Sequence, residues 1–160
     1  MSATEKKYLL DRLDEAHLAV RAILDDVNLE MSVYGDTGWR VRDIVGHIAT
    51  WEREVANSLR AYQAGSEYLI PDLDEGEYNE RAVLEQKKLP SQQVQKEFEQ
   101  AYNEFRKAIQ EMSDDRFPGD MVYPWGDERG SIVRLVEDMI EHAVEHKDEI
   151  IKAAQEAGKV

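Results

Sequence analysis

The chain has 160 residues, 42% of them hydrophobic, and a formal net charge of −14, which predicts one globular domain with a buried core. The acidic balance argues against nucleic acid and anionic membranes as partners. The absence of cysteine excludes disulfide bonds, thiolate metal sites and a cysteine nucleophile. No apolar run approaches the roughly 20 residues of a membrane span, and the N-terminus lacks the apolar core of a signal peptide. We therefore expect a cytoplasmic protein.

Hydrophobic periodicity predicts two long helices in the first part of the chain. The first runs from Thr4, as a capping residue, to Glu30, because apolar residues recur there at three- and four-residue steps. A turn cluster at 34–38 separates it from the second helix, which follows Trp39 and continues to about residue 62. His17 lies on the apolar side of the first helix, where a lone histidine is more often a packed core residue than a ligand.

The remaining elements alternate between loops and helices. Residues 65–76 are acidic and rich in breakers, which indicates a loop, and a short helix is expected from about Glu77 to Lys87. A third long helix opens at Pro90-Ser91. An irregular segment at 117–130 precedes the fourth long helix, and Ser131 is predicted to cap that helix.

Four amphipathic helices, each with one apolar stripe, can bury those stripes only by packing together. The sequence therefore predicts an all-α four-helix bundle. The link between the second and third long helices has about 25 residues, which exceeds the short turn that joins antiparallel neighbours. We expect a crossover there, carrying the short extra helix, so that the second and third long helices run in the same direction.

Besides His17, the three other histidines fall on apolar helix faces. His142 and His146 lie four residues apart in the fourth helix, so their side chains share one face. At 100° per residue, His146 falls in the middle of the apolar stripe and His142 on its edge. His47 shares the apolar flank of the second helix and is the candidate for a third ligand. Asp43, one turn earlier, could orient the His47 ring from outside, or could be a first-turn carboxylate favoured by the helix dipole.

Three imidazoles on one side of a cation are suited to zinc, nickel, iron or copper. Three protein ligands leave a position for water or substrate, as in catalytic sites, and the ion lowers the pKa of bound water toward about 7. A histidine pair alone is a weak signal, and the competing interpretation is that these histidines are structural. Unpaired imidazoles in an apolar core would each cost free energy, however, and one shared cation would satisfy all three.

Other candidate residues surround this site. The segment from Tyr123 to Trp125 could form a wall over a ligand, together with Trp51, although aromatic residues in such loops more often serve packing. Asp138 and Glu145 are candidate general bases only by their proximity to the histidines. Five arginines could hold a carboxylate substrate, although surface ion pairs are the commoner role: Arg40, Arg42, Arg81, Arg129 and Arg134.

Two segments resemble the signatures of a known family. Residues 38–52, GWRVRDIVGHIATWE, resemble the segment around the first metal ligand in the DinB/YfiT-like superfamily. Residues 142–150, HAVEHKDEI, resemble its second signature, in which HxxxH is followed by a short polar run and isoleucine. Helix lengths and loop positions also match, so the resemblance covers essentially the whole chain.

The resemblance implies a four-helix bundle of up-down-down-up connectivity. It also implies a divalent metal, most often nickel or zinc, with iron as a further option, held by His47, His142 and His146. Members include thiol-dependent S-transferases and the mycothiol-dependent maleylpyruvate isomerase, in which a glutamate stands at the position matching His142. The extra domain of that isomerase is not found in these 160 residues, so its particular reaction is not carried over.

Three functions are compatible with these patterns. The first is a metal-dependent enzyme acting on a small molecule, either a hydrolase or a transferase that uses a low-molecular-weight thiol as cosubstrate. The second is a non-catalytic binding or stress-response protein whose bundle cavity sequesters a small molecule. The third is a helical interaction module with structural histidines. A homodimer through helix faces is common for such bundles.

Overall fold

The computed structural model describes residues 2–158, with side chains described from residue 4. Five helices and two short strands follow in chain order: α1 (Ser2–Leu24), α2 (Val41–Gln63), α3 (Glu75–Gln86), α4 (Ser91–Glu111), β1 (Asp120–Val122), β2 (Arg129–Ser131) and α5 (Ile132–Glu156). Within residues 2–158, no helix combines the length and the apolar character that crossing a membrane requires.

The four long helices α1, α2, α4 and α5 form the bundle, and contacts between α2 and α4 establish the crossover. Arg53 of α2 donates to Glu97 of α4 at 2.7 Å. Two turns further on, Arg60 donates to the backbone carbonyl of Glu104 at 3.2 Å. Because residue numbers increase together along both helices, α2 and α4 are parallel. The predicted crossover is confirmed, and α3 lies within it.

The other helix pairs complete the up-down-down-up connectivity. Along α1 and α4 the contacts run in opposite senses, since Lys6 reaches the carbonyl of Met112 whereas His17 meets Glu99. Along α1 and α5 they run in the same sense, since Arg12 lies 3.6 Å from Glu137 and later residues of both helices line one groove. The connectivity implied by the family resemblance is confirmed.

The crossover is attached to α2 through the end of α3. Gln86 donates from Nε2 to the Gly46 carbonyl at 2.9 Å and to the Thr50 hydroxyl at 3.0 Å. A Cβ atom at Gly46 would lie 2.0 Å from Gln86 Oε1, so a larger residue there would displace the Gln86 amide from these two acceptors. The α3 helix begins at Glu75, two residues earlier than predicted, because Asp74 accepts the Glu77 amide at 3.0 Å and caps it.

The first helix is shorter than predicted. The α1 helix ends at Leu24 instead of Glu30, because Asn28 accepts the Glu30 amide at 2.9 Å through its side chain and turns the backbone. At the other end, α1 already includes Ser2. The prediction that Thr4 caps it is therefore wrong, and Thr4 lies inside the helix.

The segment predicted to be irregular contains a β-hairpin. Strands β1 and β2 pair antiparallel, with Met121 opposite Gly130. The buried Tyr123 donates to the Ser131 carbonyl at 2.7 Å and packs against Gly130, where a Cβ would lie 2.4 Å from its hydroxyl. Three-residue strands are too short to leave an alternating hydrophobic pattern. Ser131 accepts the Arg134 amide at 3.0 Å, which confirms it as the cap of α5.

Polar side chains are also buried among the apolar residues of the core. His17 is buried there, as the commoner interpretation of a lone histidine predicted. Its Nε2 lies 2.8 Å from Glu99, and its ring stacks on Tyr102 at 3.7 Å between centroids. Glu52 is 4% exposed, and its Oε1 atom has no partner among the described residues. Burial, and next the charge of Glu99, raise the pKa of Glu52 to about 8.

Glu52→Gln is expected to remove a pH-dependent loss of stability. The folded protein keeps the Glu52 proton up to a pKa of about 8, whereas the unfolded chain releases it near 4.5. The wild type therefore loses up to about 1.4 kcal/mol of unfolding free energy per pH unit between these values. Urea unfolding at about pH 6.5 and pH 8 should show this loss in the wild type and a much smaller one in the variant. The exposed substitution Glu15→Gln is the control, and an equal loss in all three proteins would contradict the prediction.

Candidate metal centre

The three predicted histidines converge where α2 packs against α5. His47 Nε2 lies 3.0 Å from His142 Nε2, and His142 Nε2 lies 3.1 Å from His146 Nε2. One nitrogen from each ring falls within 4.8 Å of the others, which makes the group able to hold a metal ion. The predicted convergence therefore exists in the structure.

Burial keeps the His47 and His142 rings neutral. Desolvation lowers the pKa of His47 to about 3, with a further contribution from His142 and then His146. Desolvation, followed by the proximity of His146, also lowers the pKa of His142 to about 4. Both rings consequently carry a free lone pair at neutral pH, which is the form that binds metals.

His146 is oriented from the side facing away from the cluster. Its Nδ1 lies 2.7 Å from Glu149 Oε1 and 2.9 Å from the Tyr34 hydroxyl, while that hydroxyl donates to the same carboxylate. Because a carboxylate only accepts, the Nδ1 of a neutral His146 carries the proton, and its Nε2 is left as an acceptor. Ligating histidines are commonly held in this way by a carboxylate.

Hydrogen bonds alone do not satisfy the three Nε2 atoms. With His146 Nε2 unprotonated, a proton on His142 Nε2 can bond to only one of its two neighbours. A protonated His142 Nε2 has no lone pair with which to accept a second bond, so the other short N···N contact stays without a hydrogen bond. By contrast, nitrogen ligands about 2.0–2.1 Å from a zinc ion lie roughly 3 Å apart, which is close to the 3.0 and 3.1 Å seen here. The donor set therefore fits a divalent cation.

Asp43 does not orient His47 in this structure. Its Oδ2 accepts the backbone amide of Arg40 at 2.9 Å and the Arg40 side chain at 3.2 Å. Its other oxygen is buried and has no partner among residues 4–158. The structure therefore corresponds to the alternative interpretation, a carboxylate at the start of α2. The orienting groups found instead act on His146: Glu149 lies one turn further along α5, and Tyr34 comes from the turn before α2, which sequence patterns did not connect to α5.

A cavity of about 390 Å³ opens beside His47 and His142. Trp51 and Trp125 line it, as predicted, with their ring centroids 6.2 Å apart. Tyr123, the third predicted wall residue, is fully buried behind Trp125 and belongs to the core. Its prediction as a wall residue is wrong, because its ring packs inside the core and its hydroxyl donates to the Ser131 carbonyl.

Four polar residues also line this cavity: Glu75, Asn79, Glu128 and Asp138. Asn79 accepts the Trp51 indole N–H at 2.7 Å, and Glu128 accepts that of Trp125 at 2.9 Å. Of these four, only Asp138 carries a signal in the sequence, since it precedes His142 by one helical turn. Glu145, the other predicted base, is exposed and does not line the cavity.

The sequence matches the model of one known protein family. The model of the mycothiol maleylpyruvate isomerase N-terminal domain family matches residues 10–146, a range that includes all three histidines. The chain belongs to this family. The match, with the structural neighbours described next, confirms membership of the DinB/YfiT-like superfamily. No curated protein matches the chain.

Solved structures share the fold of this family member at low sequence identity. YfiT from Bacillus subtilis, described as a probable metal-dependent hydrolase, has a TM-score of 0.78 at 16% identity, covering 97% of this chain and 89% of YfiT. An uncharacterised protein from Escherichia coli has a TM-score of 0.77 at 16% identity, with coverages of 97% and 95%. The mycothiol-dependent maleylpyruvate isomerase has a TM-score of 0.75 at 14% identity. That match covers 91% of this chain and 60% of the isomerase.

Glu149→Gln is expected to weaken zinc binding by about 10- to 100-fold, because the charge that orients His146 is lost. Competition with a zinc-sensitive dye measures the affinity. Glu145→Gln, an exposed change on the same helix, should leave the zinc affinity unchanged.

Asp43→Asn should lower the melting temperature instead of the zinc affinity, since the Asp43 carboxylate accepts a backbone amide at the start of α2. Weaker zinc binding in Asp43→Asn than in Glu149→Gln would contradict this assignment.

Proposed function

We propose that the chain is a metal-dependent hydrolase acting on a small molecule. The observation that carries the proposal is the convergence of three imidazoles, two of which line a cavity of about 390 Å³. Pockets of this size are typical of small-molecule sites. The description of YfiT, which shares the fold, as a probable metal-dependent hydrolase is consistent with it.

In this proposal His47, His142 and His146 are the ligands of one divalent ion. Zinc and nickel are the preferred candidates for three neutral imidazoles, and iron also fits them. Bound there, the ion would act as a Lewis acid that activates a water molecule. Because the cavity reaches His47 and His142, a substrate would approach the ion from this side, while Tyr34 and Glu149 support His146 from the other.

The residues of the cavity would position the substrate and receive a proton. Trp51, Trp125 and Met139 provide apolar surface, which excludes water from part of the substrate. Asp138 is our candidate proton acceptor, because it lines the cavity one turn before His142 on α5. Burial raises the pKa of Asp138 above its ordinary value, which makes this carboxylate a better base than a fully solvated one.

A thiol-dependent S-transferase is the second candidate. It is supported by the family match, which is named for a mycothiol-dependent enzyme, and by the ability of a metal to stabilise a thiolate in a chain without cysteine. In this version a low-molecular-weight thiol would replace water as the activated nucleophile. A non-catalytic bundle would bind the same metal and ligand without turnover.

Metal analysis of protein purified without a histidine tag is expected to give about one divalent ion per chain. His146→Ala should reduce the content to near zero, because two imidazoles hold an ion far more weakly than three. His17→Gln is the matched control, since His17 is buried elsewhere and bonds to Glu99. A wild type without metal, or equal metal content in both variants, would point to the structural interpretation of the histidines.

A turnover screen distinguishes the remaining functions. The zinc- or nickel-loaded protein is incubated with ester, amide and electrophilic substrates, with and without a low-molecular-weight thiol. Hydrolysis that needs no thiol and is lost in His47→Ala supports the hydrolase, and product formation only with the thiol supports the transferase. Full metal occupancy with no turnover in either series would favour the non-catalytic bundle.

A further inference from the structure

The charged residues that line the cavity, apart from its histidines, are all acidic. Glu75, Glu128 and Asp138 contribute carboxylates, and no lysine or arginine is among the lining residues of the described chain. Arg134 lies beside the rim, where it pairs with Glu128 and approaches Asp138 at 3.7 Å. Glu75 has no ion pair within residues 4–158 and stands in the first turn of α3. At least one carboxylate at the mouth is therefore uncompensated.

The other candidate arginines lie outside the cavity, and three of the four are paired with other groups. Arg40 pairs with Glu30 and Asp43, and Arg129 pairs with Glu67. Arg42 is buried against the crossover, where it donates to the carbonyls of Gln86 and Leu89. Arg81 is exposed in α3 and does not line the cavity. An anionic group of a substrate would therefore find no guanidinium among the described residues that line the cavity.

The two indole rings that line the cavity favour a positively charged group. The indole N–H of Trp51 bonds to Asn79 and that of Trp125 to Glu128, so these two donors are already used. What the indoles still offer is their π faces and edges, 69° apart in plane. Indole faces attract organic cations, and nearby carboxylates add to that attraction.

We propose that the cavity takes a small substrate that carries an ammonium or similar organic cation, and that it rejects dicarboxylates. This inference rests on the proposed metal site, because the metal anchors the reacting end while the indoles and carboxylates select the other end. It names a substrate class unlike the dicarboxylate that the maleylpyruvate isomerase name denotes.

Three hydroxamates with the same metal-binding head test the proposal on the zinc-loaded protein. They are 3-aminopropanohydroxamic acid with an ammonium tail, butanohydroxamic acid with a neutral tail, and succinic monohydroxamic acid with a carboxylate tail. Isothermal titration should show the ammonium compound binding about tenfold or more tightly than the carboxylate compound, with the neutral one between them. The ratio should shrink at high salt, because exposed charges are screened.

A double variant tests whether the carboxylates of the cavity cause the preference for the ammonium probe. Glu75→Gln combined with Asp138→Asn should reduce the ratio between ammonium and carboxylate probes to about threefold or less, if these side chains create it. Glu80→Gln combined with Glu145→Gln removes the same charge from exposed positions of α3 and α5, and should keep the ratio. Zinc content measured after each titration confirms that the probes have not stripped the ion.

The outcomes separate the two proposals. Zinc binding with equal affinity for the three probes, or with the carboxylate probe tightest, would overturn the charge preference and leave the metal site standing. Loss of the preference in the control pair as well would also overturn it, because the effect would then reflect net charge alone. Failure of zinc to bind would overturn the proposed function, and this inference with it.

Discussion

The antiparallel contact between α2 and α5 is the constraint on which the candidate site depends. One imidazole from α2 meets two from α5, with Nε2 atoms 3.0 and 3.1 Å apart. Imidazole nitrogens with converging lone pairs repel one another unless a proton or a cation lies between them. The apolar packing of the helices on either side therefore holds together a group that has no intrinsic tendency to assemble. Stability of the bundle and chemistry of the site are linked at this point.

The connections between the helices supply several of the groups that surround the three histidines. The turn before α2 supplies Tyr34, which with Glu149 orients His146. The crossover supplies Asn79, and the hairpin supplies Trp125 and Glu128. Each helix contributes its residues at a fixed angular spacing, whereas the connections bring in groups that are distant in sequence. The centre is accordingly built on rigid elements, and its surroundings come from loops, which is a common division in binding proteins.

This division also explains how much could be predicted from the sequence. Helical periodicity was sufficient for the four long helices and for the shared direction of the three histidines, and the length of the link between α2 and α4 predicted that these two helices are parallel. It could not reveal that Asp43 serves Arg40, because helix start and ligand support both place a carboxylate at that position. Glu75, Asn79 and Glu128 left no pattern, since their role depends on how the crossover and the hairpin fold over α2. Tyr123 was misplaced for the same reason, because three-residue strands carry too little alternation to show which side faces inward.

The attachment of α3 has a consequence for how such a protein can diversify. The last residue of α3, Gln86, donates hydrogen bonds to Gly46 and Thr50 of α2. The first turns of α3 form part of the cavity mouth. Substitutions in the early turns of α3 would therefore alter which molecules enter, without disturbing the helices that carry the imidazoles. The same arrangement of three imidazoles is therefore compatible with different small molecules, according to the residues of a single short helix.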